Sequence, residues 1–357
     1  MGMTDPCGEK ASIRDRNLFT ACYAVSLALG ETLLWKHITS KTINHYIKDM
    51  DKLFEERGIP YRYDHDPLSV ILKALDDYEK VPNRRHMITD EMMHYMRKQI
   101  KDQPPDGLTK ALFDWIVLGR YTGFRRSEWC QTTKTKYETL DEWPGQPAKA
   151  FIKTDFVFLT RTKRRLTGRV SQIRKRAHYV RITWRYQKNG DHNQDITFAR
   201  DLVLKDFCPV EAALNIIARA ERLKVPSTDP IAVYKNASNA RTFITDTDVN
   251  ALLRNTAQNV LNIPANDPEL ERWSTHSVRV TAANLLHRQK FSDSYIQNRL
   301  RWKRDAFKVY LRNTFYTADQ HTLYLSDENL PPVDERSTRE DEPHDLVMAS
   351  LNPSMPN

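Results

Sequence analysis

The sequence predicts a mainly α-helical protein with a small antiparallel β-sheet, and three observations carry that prediction. Apolar residues recur at helical spacing through much of the first 120 positions and again from Pro209 onward. Runs of β-branched and aromatic residues are confined to about 150–204. Breaking residues, among them Gly58, Pro82, Pro104 and Pro105, fall between these blocks. At 357 residues the chain exceeds one ordinary core, so two domains are expected, 1–82 and 83–325, followed by a tail over 326–357.

Each element follows from its residues. Leu18 to Leu29 is an apolar segment fit for a first helix, and Ile43, Tyr46, Ile47, Met50, Leu53 and Phe54 mark a second that Gly58 can end. A third starts with Asp66 as cap and Pro67 in its first turn, and it carries Leu68, Ile71, Leu72, Leu75 and Tyr78. The polar stretch from Glu79 to His86 is the expected linker. Thr89 can cap a helix with Met92, Met93, Met96 and Ile100, and after the two prolines Leu108 to Tyr121 forms another, burying Leu112, Trp115 and Ile116. FIKTDFVFL, YVRITWRYQ and DITFA read as three strands, the last two joined by a turn that contains Asn189 and Gly190. Helices resume at Pro209 and from Val249 to Leu261. From Ser326 onward the chain is acidic, carries no periodic apolar face and is expected to be disordered.

Fifty-five Lys and Arg against 46 Asp and Glu leave a formal charge of +9, and the acid-rich tail makes the remainder more basic still. A polyanionic partner fits this balance, although a basic protein without one fits it equally. Cys7, Cys22, Cys130 and Cys208 form no CxxC pair or Cys/His cluster, so neither a metal site nor a disulfide framework is expected, and a reducing compartment is. No apolar run reaches the ~18 residues of a membrane span. The N-terminus lacks a secretory signal, so the protein is expected to be neither membrane-embedded nor secreted.

Three separated segments carry residues suited to phosphate chemistry. In YTGFRRSE, from Tyr121 to Glu128, a helix ends at a Thr-Gly turn and Arg125 follows at once; alone, this better describes a helix end with a surface arginine. In STHSVRVTAANLLH, Ser274 or Thr275 can cap a helix whose core face bears Val278, Ala282, Leu285 and Leu286. His276 and Arg279 then stand three apart near an N-terminus whose free N–H groups suit an anion. In LRWKRDAFKVYLRNT, Trp302 and Tyr310 lie eight apart, and by spacing alone Tyr310 is a packed aromatic beside Ala306 and Phe307.

Taken together, these segments resemble the boxes of the tyrosine recombinases of the phage-integrase superfamily: TGFRRSE the first arginine box, HSVR the HxxR box, and RWKRDAFKVYLRN the closing box with its nucleophilic tyrosine. The texture is especially similar to Cre-like enzymes, and the compact layout resembles recombinases of eukaryotic mobile elements such as Cryptons. The likeness runs from about Lys41 to Thr314. It implies a helical core-binding domain, a linker and an α+β catalytic domain. It assigns Arg125, His276, Arg279, Trp302 and Tyr310 to catalysis, with Glu128 in support. The hairpin lysine is placed at Lys188, just before the predicted turn, with Lys163 and Lys175 as other basic neighbours of the sheet. Two departures stand out: Arg301 occupies a position where many members have glycine, and the Trp-to-Tyr spacing is one shorter than is common.

The implied reaction explains the residue types. Transesterification at a phosphodiester builds negative charge on the non-bridging oxygens, which Arg125 and Arg279 would clamp through paired N–H donors. A phenol with a pKa near 10 needs help in losing its proton, the role of His276. Lys188 would protonate the leaving 5′-oxygen, and Trp302 would donate its indole N–H. A phosphotyrosyl link conserves the bond energy, so no cofactor is implied. Arg161 to Arg181 holds nine Lys and Arg and no acid. Within it Arg164, Arg165, Arg174, Lys175 and Arg176 are the expected phosphate contacts, unless the stretch is only a solvated basic loop. The resemblance further implies double-stranded DNA as partner, a homo-tetramer on two sites, and a nuclear location for a eukaryotic element or a cytoplasmic one otherwise. The alternatives are a type IB topoisomerase and a domesticated DNA-binding regulator that no longer cuts.

Overall fold

The computed structural model describes residues 12–31, 38–58, 68–78, 84–131, 149–187, 190–303, 307–308 and 311. The chain divides into two compact units, Met1–Arg84 and Arg85–Asn357.

The first unit packs three helices, α1 (Ile13–Leu29), α2 (Ser40–Glu56) and α3 (Leu68–Tyr78), around Ala21, Ala24, Leu27, Ile43, Ile47 and Leu68. Ser12 and Thr39 cap the first two through their hydroxyls. Gly30 and Gly58 take the left-handed conformation after α1 and α2. Ser40 ties α2 to α3 by donating to Asp76 at 2.9 Å. The predicted Asp66 cap and most of the predicted linker lie outside the described residues.

In the second unit, α4 (Asp90–Gln99) starts on Thr89, whose hydroxyl accepts from Met92 N, and buries Met92, Met93 and Met96. It is followed by α5 (Leu108–Thr122), which is buried on nearly every face. The short α6 (Arg126–Trp129) comes next. The three predicted strands form one antiparallel sheet in the order β1 (Phe156–Leu159), β2 (Tyr179–Trp184), β3 (Gln194–Ala199), with Phe156 opposite Ile182 and Ile182 opposite Ile196. β1 is shorter than the run FIKTDFVFL implied, because the Asp155 carboxylate accepts from Ile152 N and folds Lys153–Asp155 into a 3-10 turn. Between β1 and β2 stands α7 (Val170–Arg176). After the sheet, α8 (Pro209–Arg222) begins with proline, where a missing N–H costs nothing.

Neither α7 nor the helix over Asp293–Leu300 is among the elements read from the sequence, and a further sheet escapes it as well. A second, two-stranded sheet pairs β4 (Val233–Lys235) with β5 (Arg241–Phe243). Its strands are three residues long, below any readable alternation, and its turn rests on Asn239 at φ 60°. Three helices complete the unit: α9 (Asp246–Leu261) capped by Thr245, α10 (Thr275–Arg288) capped by Ser274, and α11 (Asp293–Leu300). The single core face expected of α10 proves too narrow. Ser277 through Asn284 are all buried, so α10 runs through the interior. It lies so close to α5 that a Cβ at Gly119 would collide with Val278. The predicted disordered tail lies outside the described residues. No described helix is long and apolar enough to cross a membrane.

Candidate active site

The site begins where α5 stops. Gly123 ends that helix at φ 57°, its N–H bonding to Gly119 O, and a Cβ there would press on Leu300 at 3.2 Å. The chain therefore turns sharply, and Arg125 emerges in extended conformation as the residue before α6. Glu128, one turn into α6, bonds back through Oε2 to Arg125 N at 2.9 Å and through Oε1 to Arg125 Nη1 at 3.2 Å. Arg125 Nη2 donates to Arg301 O at 3.2 Å.

Arg279 reaches the same place from α10. It is buried, with Nη1 on Gly123 O at 2.7 Å and Nη2 on Leu300 O at 3.1 Å. The Trp302 ring covers its guanidinium at 3.9 Å. Both arginines are thus fixed by adjacent carbonyls at the C-terminal end of α11, Leu300 O for Arg279 and Arg301 O for Arg125. Fixed cations of this kind reorganise little when an anion arrives.

His276 stands in the first turn of α10, its N–H bonded to the Ser274 hydroxyl at 3.3 Å. Burial, and then the charges of Arg279 and Arg85, hold its pKa down to about 4, against an ordinary 6.5. At neutral pH the imidazole is uncharged.

Beneath the arginines lies a residue that the sequence marks only as a departure from the family pattern. Arg301 adopts φ 59° directly after α11, the left-handed position that favours glycine. Its side chain is fully buried. Nη2 donates to Glu128 Oε2 at 3.1 Å, Nη1 to Thr122 O at 3.0 Å, and the guanidinium lies over Trp184 at 3.9 Å. Burial lowers its pKa to about 10, with Glu128 opposing the shift, so it remains a cation at neutral pH. Trp184, also missed, donates Nε1 to Glu128 Oε2 at 3.1 Å. The alternation in YVRITW was its available signal, since Trp184 falls on the inward face of β2 with Val180 and Ile182.

Arg125, Glu128, Arg279 and Trp302 therefore come together through residues 300–302, and His276 sits three residues from Arg279 on the same helix. Tyr310 and Lys188 lie outside the described residues. What precedes Tyr310 is anchored: Phe307 is buried with Ala282, Ala283, Ile296 and Leu300. The β2–β3 connection that contains Lys188 touches the closing segment, with Lys303 Nζ 3.5 Å from Asp191.

The basic stretch is an ordered turn followed by α7. Arg164, Arg165, Lys175 and Arg176 are exposed. Arg174 is half-buried and turns toward α8, where it pairs with Glu211 and donates to Asn215 at 2.8 Å, so its guanidinium is engaged.

No family model matches this chain, and no curated protein matches it in sequence. Among solved structures it is similar to the Tn1549 transposon integrase in complex with transposon right end DNA, at 14% identity over 87% of this chain and 85% of that one, with a TM-score of 0.46. It is also similar to the XerH site-specific recombinase bound to its difH substrate, at 11% identity over 88% and 72%, with a TM-score of 0.45. A lambda integrase dimer bound to a COC' core site matches at 13% identity over 96% and 86%, with a TM-score of 0.42.

Proposed function

We propose that this chain is a tyrosine recombinase, a site-specific enzyme that cleaves and rejoins double-stranded DNA through a 3′-phosphotyrosyl intermediate. The observation that supports this most is the convergence of Arg125 and Arg279 on the adjacent carbonyls of Arg301 and Leu300, nine and ten positions before Tyr310. Two guanidinium groups held on neighbouring carbonyls suit a phosphodiester whose charge grows in the transition state.

The steps follow from the residue chemistry. The Tyr310 oxygen attacks the scissile phosphorus, and neutral His276 assists as its proton leaves. Arg125 and Arg279 stabilise the non-bridging oxygens, and Trp302 packs the site and offers its indole N–H. The P–O5′ bond breaks, Lys188 protonates the departing 5′-oxygen, and the DNA 3′-phosphate stays on tyrosine. Attack by another 5′-hydroxyl reverses these transfers and joins new partners.

The exposed Arg164, Arg165, Lys175 and Arg176 would bind backbone phosphates. Integration or excision of a mobile element, by four copies on two DNA sites, is the setting proposed. The test is incubation of the purified chain with duplexes carrying the short repeats that flank its encoding DNA. A protein–DNA adduct and exchange between two such duplexes are expected. Site-independent relaxation of a supercoiled plasmid would point to a type IB topoisomerase, and binding without an adduct to a regulator.

A further inference from the structure

A third arginine of the cluster, Arg301, is as buried as Arg279 and closes a ring around Arg125. Its carbonyl accepts from Arg125 Nη2 at 3.2 Å, and its guanidinium holds Glu128 Oε2 at 3.1 Å. The other oxygen of that carboxylate accepts from Arg125 Nη1 at 3.2 Å. Arg125 is therefore gripped on one side by the backbone of Arg301 and on the other by a carboxylate that the Arg301 side chain orients.

We propose that Arg301 is a positioning residue for Arg125 in the strand-transfer reaction, fixing its direction and leaving it with a net positive charge for phosphate. This rests on the recombinase reading above. Two consequences of the geometry support it.

The first concerns charge. Glu128 alone beside Arg125 would form a closed ion pair and cancel the cation that phosphate needs. With a second guanidinium on the same carboxylate, three groups sum to +1, and the uncancelled charge falls on Arg125, the more exposed of the two arginines, whose side chain is 22% accessible against none for Arg301.

The second concerns the backbone. At φ 59° any residue with a Cβ is disfavoured relative to glycine. Glycine would hold the turn and could still offer its carbonyl to Arg125, but it would leave Glu128 with one cation instead of two. The side chain at 301 adds what the turn does not need: a fork joining Thr122 O at the end of α5 to Glu128 on α6, backed by Trp184. Because Leu300 O holds Arg279 and Trp302 covers it, a shift of this segment would disturb both phosphate-facing arginines.

Arg301→Gly in the full chain is the direct test, because glycine suits the turn. The probe is a nicked duplex carrying the flanking repeats. Readouts are the DNA Kd, the adduct rate at saturating DNA, and the guanidinium Nε–H resonance of Arg125 in the DNA-free protein, assigned with Arg125→Lys. The expected result is a cooperative thermal transition, a Kd within about twofold of wild type, an adduct rate lower by about tenfold or more, and a broadened Arg125 signal. Arg301→Lys, which restores a cation without the fork, should recover part of the rate. A glycine variant that reacts at the wild-type rate, or that weakens only Kd with an unchanged Arg125 signal, would overturn the proposal. Should Arg301→Gly fail to fold, Arg301→Lys decides: an intermediate rate supports positioning, while a wild-type rate and signal reject it. If the wild-type chain gives no adduct dependent on Tyr310, the recombinase reading fails by itself. The Arg125 resonance in the DNA-free variants still decides whether Arg301 positions it, broadening supporting that role and an unchanged signal rejecting it.

Discussion

Two groups of arginines in this molecule look alike in sequence and differ in almost every physical respect. Arg125, Arg279 and Arg301 are enclosed by main-chain carbonyls, indole rings and one carboxylate. Arg164 and Arg165, like their neighbours Lys175 and Arg176, stand exposed on a turn and on α7. Burying a guanidinium is costly unless most of its donors are met. The Nη groups of Arg279 and Arg301 are all held by carbonyls or Glu128, Arg301 Nε alone lacking a partner, so the first group is held in place. The second group keeps its hydration and its freedom. A rigid cation can distinguish a transition state from a ground state, whereas a mobile one attracts any polyanion. The two groups should therefore fail differently when changed.

The largest expected effect is on stability. Glu128→Ala would leave Arg301 buried without its counter-charge, and equilibrium denaturation should show a loss of about 3–5 kcal/mol. A loss below about 1 kcal/mol would mean that solvent reaches Arg301. Next comes Arg279→Ala, for which single-turnover cleavage should slow by about 100- to 1,000-fold while DNA binding weakens far less. A change confined to affinity would move Arg279 out of the chemistry.

His276 gives a smaller, pH-dependent effect. Its pKa is about 4 when folded and 6.5 ordinarily, so the unfolded chain binds the proton first as pH falls. The stability tied to the neutral ring is complete above about pH 6.5 and is lost as pH drops toward 4, by about 3 kcal/mol at most. In His276→Gln this part of the acid slope should disappear, and identical slopes for the two proteins would refute the assignment.

The smallest effects belong to the exposed group. Arg164→Ala with Arg165→Ala should barely alter folding, yet should reduce the salt dependence of DNA binding by nearly one ion per side chain. Arg174 sharpens the contrast. It lies in the same basic stretch but pairs with Glu211, so Arg174→Ala should cost about 1–3 kcal/mol of stability and change the salt slope little.

Much of this was legible in the sequence because it is local. Ser274 and Thr89 cap their helices with their own hydroxyls, and Gly123 turns the chain by its own conformational freedom. The Arg125 and HxxR segments were readable, from residue type and order, as parts of one candidate site. Contacts made across the fold were not. The burial of α10 on all sides depends on what packs around it, not on its own periodicity. Arg174 differs from Lys175 through Glu211 and Asn215, which lie 37 and 41 positions away from it. Arg301 was visible as an oddity where glycine is usual, but its bond to Glu128 spans 173 positions. No local pattern encodes that pairing.

The central claim is that this ordered cluster serves a covalent step at Tyr310, and mapping the DNA adduct tests it most directly. The full chain is trapped on a nicked duplex bearing the flanking repeats, digested with protease and nuclease, and sequenced by mass spectrometry. A nucleotide on Tyr310, absent in Tyr310→Phe although that variant still binds the duplex, is the predicted result. An adduct that persists in Tyr310→Phe, on Tyr316 or any other residue, would contradict it.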